Sequence, residues 1–425
     1  MRVGRAEATA DGNPTTGPSR LFHGWWVVAG AMVIQALQGS LFFQAFGVYA
    51  PFWMAEFGWS RTTISLIHSL HRSESGLLGP FHGWLIQRFG PQRAVQAGML
   101  LLGAGFVGLG FAQNFALFIT AFLIMAIGAS LCGFMSLMTL IVNWFSRLRA
   151  RAMALVALGM SVGGLLVPVV AWLMVTFGWR SVAFGSGALF LLLAWPLARV
   201  FVNDPESLGA RPDGATTEEA HASSEESAFA EMDARRVLRS REFWLISLGH
   251  SSALAIVGAV TVHFVIFVGT TLQLGVTAAA AMFTLITVCQ MVGQASGGVL
   301  GDRVDKRWLA AGGMVMHTAA MLLLVVAESA APVIAAAVLH GLAWGLRGPL
   351  MSAIRADYFG RKAFAMVMGY SSLVIMIGAV LGPLVVGLLA DLRGDYGLAF
   401  GVLAAIGVLG MLAFVLMPKA PVQRV

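Results

Sequence analysis

Gly298-Val299-Leu300-Gly301-Asp302-Arg303-Val304-Asp305-Lys306-Arg307 repeats, at an offset of 215 residues, the pattern of Gly83-Trp84-Leu85-Ile86-Gln87-Arg88-Phe89-Gly90, and each copy closes a long apolar run. Two more pairs stand at nearly the same offset. Trp144-Phe145 followed by Arg149 and Arg151 returns as Tyr358-Phe359 followed by Arg361 and Lys362, and Ser181-Val182-Ala183-Phe184-Gly185 returns as Gly397-Leu398-Ala399-Phe400-Gly401. Three matches at one period mark a duplicated unit whose second half repeats the architecture of the first.

Composition says what the unit is made of. Hydrophobic residues make up 58% of the 425 and charged residues only 11%, against roughly 25% charged in a soluble domain. A chain so apolar needs lipid as its solvent. A span of hydrocarbon takes about 20 largely apolar residues, and runs broken by Gly, Pro and charge predict helices at 24–47, 62–87, 92–112, 115–145, 150–177 and 180–201, then 242–270, 277–301, 307–327, 331–356, 362–390 and 396–417. The expected fold is therefore an all-α membrane protein of twelve transmembrane helices in two pseudo-symmetric six-helix bundles. Its expected divisions are a tail at 1–23, a first bundle at 24–202, a linker at 203–240, a second bundle at 241–418 and a tail at 419–425. The linker is rich in Ser, Ala, Thr and Pro and carries nine of the twenty acidic residues.

Orientation follows from Lys and Arg. With the N-terminus in the cytosol, 22 of the 27 basic residues fall in cytosolic segments and only Arg61, Arg180 and Arg393 lie outside, a positive-inside bias. Both termini are thus expected in the cytosol of a cell membrane, and the polar first twenty residues read as a tail before a retained helix. The net charge of +7 is scattered over short loops, so no nucleic-acid partner is implied. Cys132 and Cys289 sit in apolar runs without partner or metal-ligand spacing, which implies no disulfide and no metal. None of Lys306, Lys362 and Lys419 follows a glycine, so there is no phosphate loop, and no His-Glu-x-x-His or nucleophile elbow occurs. An enzyme, a nucleotide-driven pump and a bound cofactor are not expected.

Charges inside the membrane are costly and point to a partner or a wet cavity. Helix 2 carries Arg72 and Glu74 near its midpoint and helix 10 carries Arg347. At 100° per residue Arg72 and Glu74 lie roughly 200° apart and cannot share a face. Arg72 falls with Gly76, Gly79 and Gly83, and Glu74 falls with His71. Arg347 shares its face with Trp344 and with His340, seven residues earlier. A guanidinium presents a planar fork that matches a carboxylate, so Arg347 is the first candidate for holding an anion, with Arg72, His263, His340 and Trp344 beside it. The alternative for Arg347 is a permanent ion pair with Glu74. Glu74, His71 and His250 are the candidates for carrying a coupling proton. His317, on helix 9, reads as structural.

The Gly-x-Leu-x-Asp-Arg-x-Gly loop in both halves of a twelve-helix chain resembles the signature of the major facilitator superfamily. Phe57-Gly58-Trp59-Ser60-Arg61 and Gly79-Pro80 are similar to the branch of oxalate/formate antiporters and monocarboxylate porters. The resemblance implies two bundles rocking about a central cavity lined by helices 1, 4, 7 and 10, with helices 2, 5, 8 and 11 forming the bundle contact. Stripes at Gly79 and Gly83, Gly159 and Gly163, Gly293, Gly297 and Gly301, and Gly378 and Gly382 suit close helix approach on those four helices. The resemblance also implies a cytosolic gate at Gly83, Gln87 and Arg88 in one half and Gly298, Asp302 and Arg303 in the other. Gln87 stands where the signature has an acid, which weakens the first lock.

The function expected is secondary transport of a small organic anion, a monocarboxylate or dicarboxylate, by proton symport or anion exchange in a monomer. Its rivals are efflux of a drug-like metabolite by proton antiport and a solute-binding membrane sensor. Efflux members carry a Gly-Pro-x-x-Gly-Gly run on helix 5, where this chain has Gly163-Gly164 four residues before Pro168. A sensor needs a signalling domain, and the linker has little apolar content.

Overall fold

The computed structural model describes residues 22–145, 148–211, 234–301 and 303–419, and among them the regular structure is helical, with no strand. Eleven helices are long and apolar enough to cross a bilayer: α1 is His23–Phe57, α3 Pro91–Phe111, α4 Phe115–Trp144, α5 Arg151–Phe177, α6 Trp179–Val200, α7 Arg241–Thr271, α8 Val276–Gly297, α9 Lys306–Val325, α10 Ala330–Phe359, α11 Val367–Arg393 and α12 Gly397–Val415. The twelfth, α2, is built of Arg61–Leu77 and Gly79–Phe89; its Arg72, Glu74 and histidines make it too polar to pass on composition alone. These are the twelve helices the sequence leads one to expect, with one marked difference. α1 runs ten residues further, to Phe57, carrying Pro51 inside it.

The backbone stays helical from Ala330 to Arg393, yet Arg355 Nη2 donates to Ser371 Oγ at 2.6 Å, 16 residues on. A straight helix would hold these residues about 24 Å apart. The chain therefore reverses between them, and α10 and α11 are separate spans.

Each half is welded internally by backbones that approach where side chains are absent. A Cβ on Gly159 of α5 would meet Met32 O of α1 at 2.5 Å, and one on Gly163 would land on Ala36 O. In the second half Gly378 and Gly382 of α11 lie in the same way on Ser251 and Ala255 of α7, and Gly293 of α8 lies on α10. The glycine stripes of α5, α8 and α11 thus serve contacts within each bundle. The expectation that they mark the contact between bundles is corrected by this geometry, because a rigid six-helix unit needs the closest backbone approaches inside itself.

Between the bundles close approaches also occur, as at Gly47, where a Cβ would stand 2.5 Å from Thr261 O, and polar bonds join them. α2 meets α11, α5 meets α8 and α1 meets α7. The hydrogen bonds that cross among the described residues join Arg61 and Thr62 to the end of α11, Ser65 to His263, Ser69 to Val380 O and Gln44 to Thr287. These residues lie in the half of the helices remote from the face that carries the first and last described residues. The bundles therefore close at this far face.

Gly345→Val, which puts a side chain where Gln290 O already sits, is expected to cost about 1–3 kcal/mol by overpacking and to lower the unfolding temperature of the purified protein. Gly401→Ala, where a Cβ meets nothing within 4 Å, should leave it unchanged or slightly raised.

Candidate functional site

Three spans lose regular helical geometry at one level of the first bundle. α1 passes through a π-helical turn at Gly39–Phe43. α2 is interrupted at Leu78, where Pro80 lacks the N–H that would continue the ladder. α4 is interrupted at Cys132 and Gly133, between helical segments ending at Leu131 and starting at Phe134. Irregular backbone at membrane depth is stable only where protein or a polar cavity satisfies it. Here a cavity of about 500 Å³ lies against these breaks, lined by Gln35, Gln38 and Phe43 of α1, His71, Arg72 and His82 of α2, Ser130, Gly133 and Met135 of α4, and Ala157 and Met160 of α5.

The polar walls are held in place, and several of their buried atoms make no hydrogen bond. Gln38 Nε2 donates to Ala129 O at 3.3 Å and Cys132 Sγ at 2.9 Å, which fixes the amide and leaves its Oε1 buried without a partner. The His71 ring packs against Phe42 and Phe43 at centroid distances of 5.0 and 5.2 Å. Gln35 Oε1, His71 Nδ1, Arg72 Nε and His82 Nε2 are likewise buried with no hydrogen-bond partner. Five buried polar atoms without a hydrogen bond around one cavity, of which, among the described residues, only His82 Nε2 is within ion-pair distance of a carboxylate, are far from the usual state of a protein interior, where such groups are nearly always paired. Among the described residues Arg72 has neither a hydrogen bond nor a carboxylate partner. Glu74 sits behind the wall: its Oε2 accepts from Ser130 Oγ at 2.8 Å and its Oε1 is 3.6 Å from His82 Nε2.

In the second bundle Arg347 is 5% exposed with an unpartnered Nε, and no hydrogen bond to it is made among the described residues. Arg355, in the last turn of the predicted helix 10, is buried at 1% exposure. Its guanidinium donates to Met351 O, Ser371 Oγ and His250 Nδ1. That last bond puts the proton of neutral His250 on Nε2. His340 turns toward α9, its Nδ1 3.2 Å from Nδ1 of His317, with Trp344 at 6.0 Å between ring centroids. His263 is fully buried where the bundles meet, bonded to Ser65 Oγ, Pro383 O and Tyr396 Oη.

The structure thus gathers Arg72 and His71 with three residues the sequence reading did not single out, Gln35, Gln38 and His82. A signal was present: Gln35 and Gln38 are one turn apart on α1, and His71 and His82 are 11 residues apart, within about 20° of one helical face. Of the residues expected at the cytosolic gate, Gly83 has open space around it, Arg88 and Arg303 are exposed, Gln87 and Gly298 lie on helical backbone, and Asp302 falls outside the described residues. Near them Lys306 pairs with Asp357 at 2.8 Å and Arg307 with Asp305 at 2.7 Å. The hydrogen bonds from the Arg307 guanidinium hold the Asp305 carboxyl below its usual range.

Comparison with known proteins agrees with this architecture. A family model described as Major Facilitator Superfamily matches residues 28–287 and 246–425. The chain is 25% identical over 416 residues to monocarboxylate transporter 13 of Bos taurus, covering 93% of this chain and 89% of that protein. It is 26% identical over 415 residues to monocarboxylate transporter 11 of Homo sapiens, covering 93% and 83%. The fold superposes with a TM-score of 0.70 on the crystal structure of a bacterial homolog to the human lysosomal transporter Spinster in an inward-facing, unoccupied conformation, at 18% identity and covering 92% of this chain and 93% of that one. With most of its length matched by the family and its helices in two six-helix bundles, the chain belongs to the Major Facilitator Superfamily, a multi-pass membrane transporter.

Proposed function

We propose that this transporter carries a small organic anion, a monocarboxylate or dicarboxylate, and that the anion is held at the cavity of the first bundle by Arg72. The observation that carries the proposal is the Arg72 guanidinium, with neither a hydrogen bond nor a carboxylate partner among the described residues, on a cavity where Gln35 Oε1, Gln38 Oε1 and His71 Nδ1 also lack hydrogen bonds. A buried cation without a carboxylate is expensive, and an anionic solute lowers that cost while it is bound. Phe43, Met135, Ala157 and Met160 would meet its apolar body. Arg347 faces the same electrostatic need from the second bundle, so a solute passing between the bundles finds a guanidinium on each side. The relatives named monocarboxylate transporters support the same class.

The cycle proposed is alternating access in a monomer, with bundles at 24–202 and 241–418 joined by the cytosolic linker 203–240. The basic residues put both termini in the cytosol of a cell membrane. Closure of the bundles at the far face then corresponds to a state open to the cytosol. Glu74, joined to the cavity through Ser130 and His82, is proposed as the coupling group for proton symport; anion exchange is the form the same cycle takes if Glu74 stays ionised throughout.

In proteoliposomes loaded with buffer and given labelled carboxylates, Arg72→Gln is expected to cut uptake about tenfold or more, the scale of a lost charge-assisted hydrogen bond, and Arg72→Lys to recover part of it. Unchanged uptake in both Arg72→Gln and Arg347→Gln would sink the anion site. Glu74→Gln is expected to abolish the stimulation of uptake by an acidic exterior while leaving carboxylate-induced thermal stabilisation intact; stimulation that survives the change assigns the proton elsewhere.

A further inference from the structure

The tip of α2 is capped by the other bundle. Ser60 provides the ordinary cap, its Oγ accepting from Thr63 N at 3.2 Å, and this leaves the N–H groups of Arg61 and Thr62 without partners inside the helix. Asp391, in the last turn of α11, takes both. Its Oδ1 accepts from Arg61 N at 3.1 Å, and its Oδ2 accepts from Thr62 N at 2.8 Å and from Thr62 Oγ1 at 2.6 Å. The exchange is reciprocal: Arg61 Nη1 donates to Ala390 O at 2.9 Å, so a cation of α2 satisfies a carbonyl at the C-terminal end of α11. Arg61 also lies 5.1 Å over the Tyr396 ring. The positive end of one helix thus holds a carboxylate of the other, and the negative end of the second holds a guanidinium of the first.

The approach is sterically prepared. A Cβ at Gly387 of α11 would stand 2.5 Å from Ser65 Oγ and 2.8 Å from Arg61 O. One turn deeper, His263 Nε2 is 2.9 Å from Ser65 Oγ, and Ser69 Oγ donates to Val380 O at 2.9 Å. Every one of these bonds joins one bundle to the other, and the outermost are exposed to water. Exposure suits a contact that has to break in each cycle: water replaces the bonds as the helix ends part, so the net gain of closing is modest.

We infer that the reciprocal capping of α2 and α11 through Asp391 and Arg61 is the gate that seals the far face, and that Asp391 is its positioning residue. The inference rests on the alternating-access reading and is independent of which solute is carried. Asp391 touches no part of the Arg72 cavity lining; it acts by setting the balance between the closed and open states of the far face.

The test is the distance between spin labels at Gln113→Cys and Glu328→Cys, exposed far-face positions in the first and second bundles, in nanodiscs and in a chain with Cys132→Ala and Cys289→Ala. The parent should show a dominant short distance. Asp391→Ala is expected to raise the ratio of long to short distances about tenfold, as the loss of charge-assisted bonds predicts, Asp391→Glu to restore most of the short population, and Thr62→Val, which keeps the backbone donor, to give a smaller shift in the same direction. Thermal unfolding in the same samples separates gating from misfolding. A distance distribution in Asp391→Ala and Thr62→Val that matches the parent overturns the inference. Because the readout is a distance and not a flux, an error in the proposed substrate leaves the result standing, whereas failure of the carboxylate uptake assay leaves this distance measurement untouched.

Discussion

A backbone N–H or C=O in hydrocarbon must find a bond inside protein, and this constraint shapes nearly everything else in the molecule. It explains why the described chain is helical, and why its departures from helix are informative. The π-helical turn of α1, the interruption of α2 at Leu78 and that of α4 at Cys132 and Gly133 would each be costly against lipid. The first and the last reach the 500 Å³ cavity of the first bundle through Phe43 and Gly133, and the break in α2 falls between its lining residues Arg72 and His82. A broken ladder exposes polar backbone and re-aims side chains, so the place where the fold gives up regularity is also where Gln38, Arg72 and Ser130 are set around shared space.

Charge follows the same economy. Arg72 and Arg347 are placed where burial penalises them, and neither has a carboxylate partner among the described residues, while Arg355 is satisfied by Met351 O, Ser371 and His250. The contrast separates two uses of one residue type. Arg355 ties α7, α10 and α11 together, and its bonds are internal to the second bundle. Arg72 and Arg347 keep donors in reserve, which is the state a binding group requires before its ligand arrives.

Much of this is legible in the chain itself. The repeat at 215 residues and the apolar runs predict twelve spans in two halves, and charge alone singles out Arg72, Glu74 and Arg347. What escapes the sequence is whatever depends on where a helix ends or bends. Arg355 stands one residue before the predicted end of helix 10, but helical backbone carries on past it and turns back to bring Ser371 alongside. His71 and His82 share a helical face by spacing, but the break at Leu78 lies between them, so spacing alone does not fix where His82 sits. The glycine stripes were visible as stripes, but which neighbour they face is a matter of tertiary packing: Gly159 could as well have met α8 as α1.

The two kinds of contact in the molecule differ in a way that bears on motion. Inside the bundles, backbone lies on backbone at Gly159 and Met32, at Gly382 and Ala255, and at Gly345 and Gln290, with no room for a methyl group. Such contacts are stiff, because any sliding drives atoms into overlap and any separation opens a void. Between the bundles, close approaches such as Gly47 on Thr261 and Gly387 on Arg61 are accompanied at the outermost helix ends by polar bonds reached by water, which can be exchanged for hydration. Tight packing within the halves and water-reached bonds at the outer edge between them suit the rotation of one half against the other that the proposed cycle requires. The water-reached bonds lie at the far face and the Arg72 cavity lies beneath them, so parting the far face is the motion that the proposed site would need for access from that side.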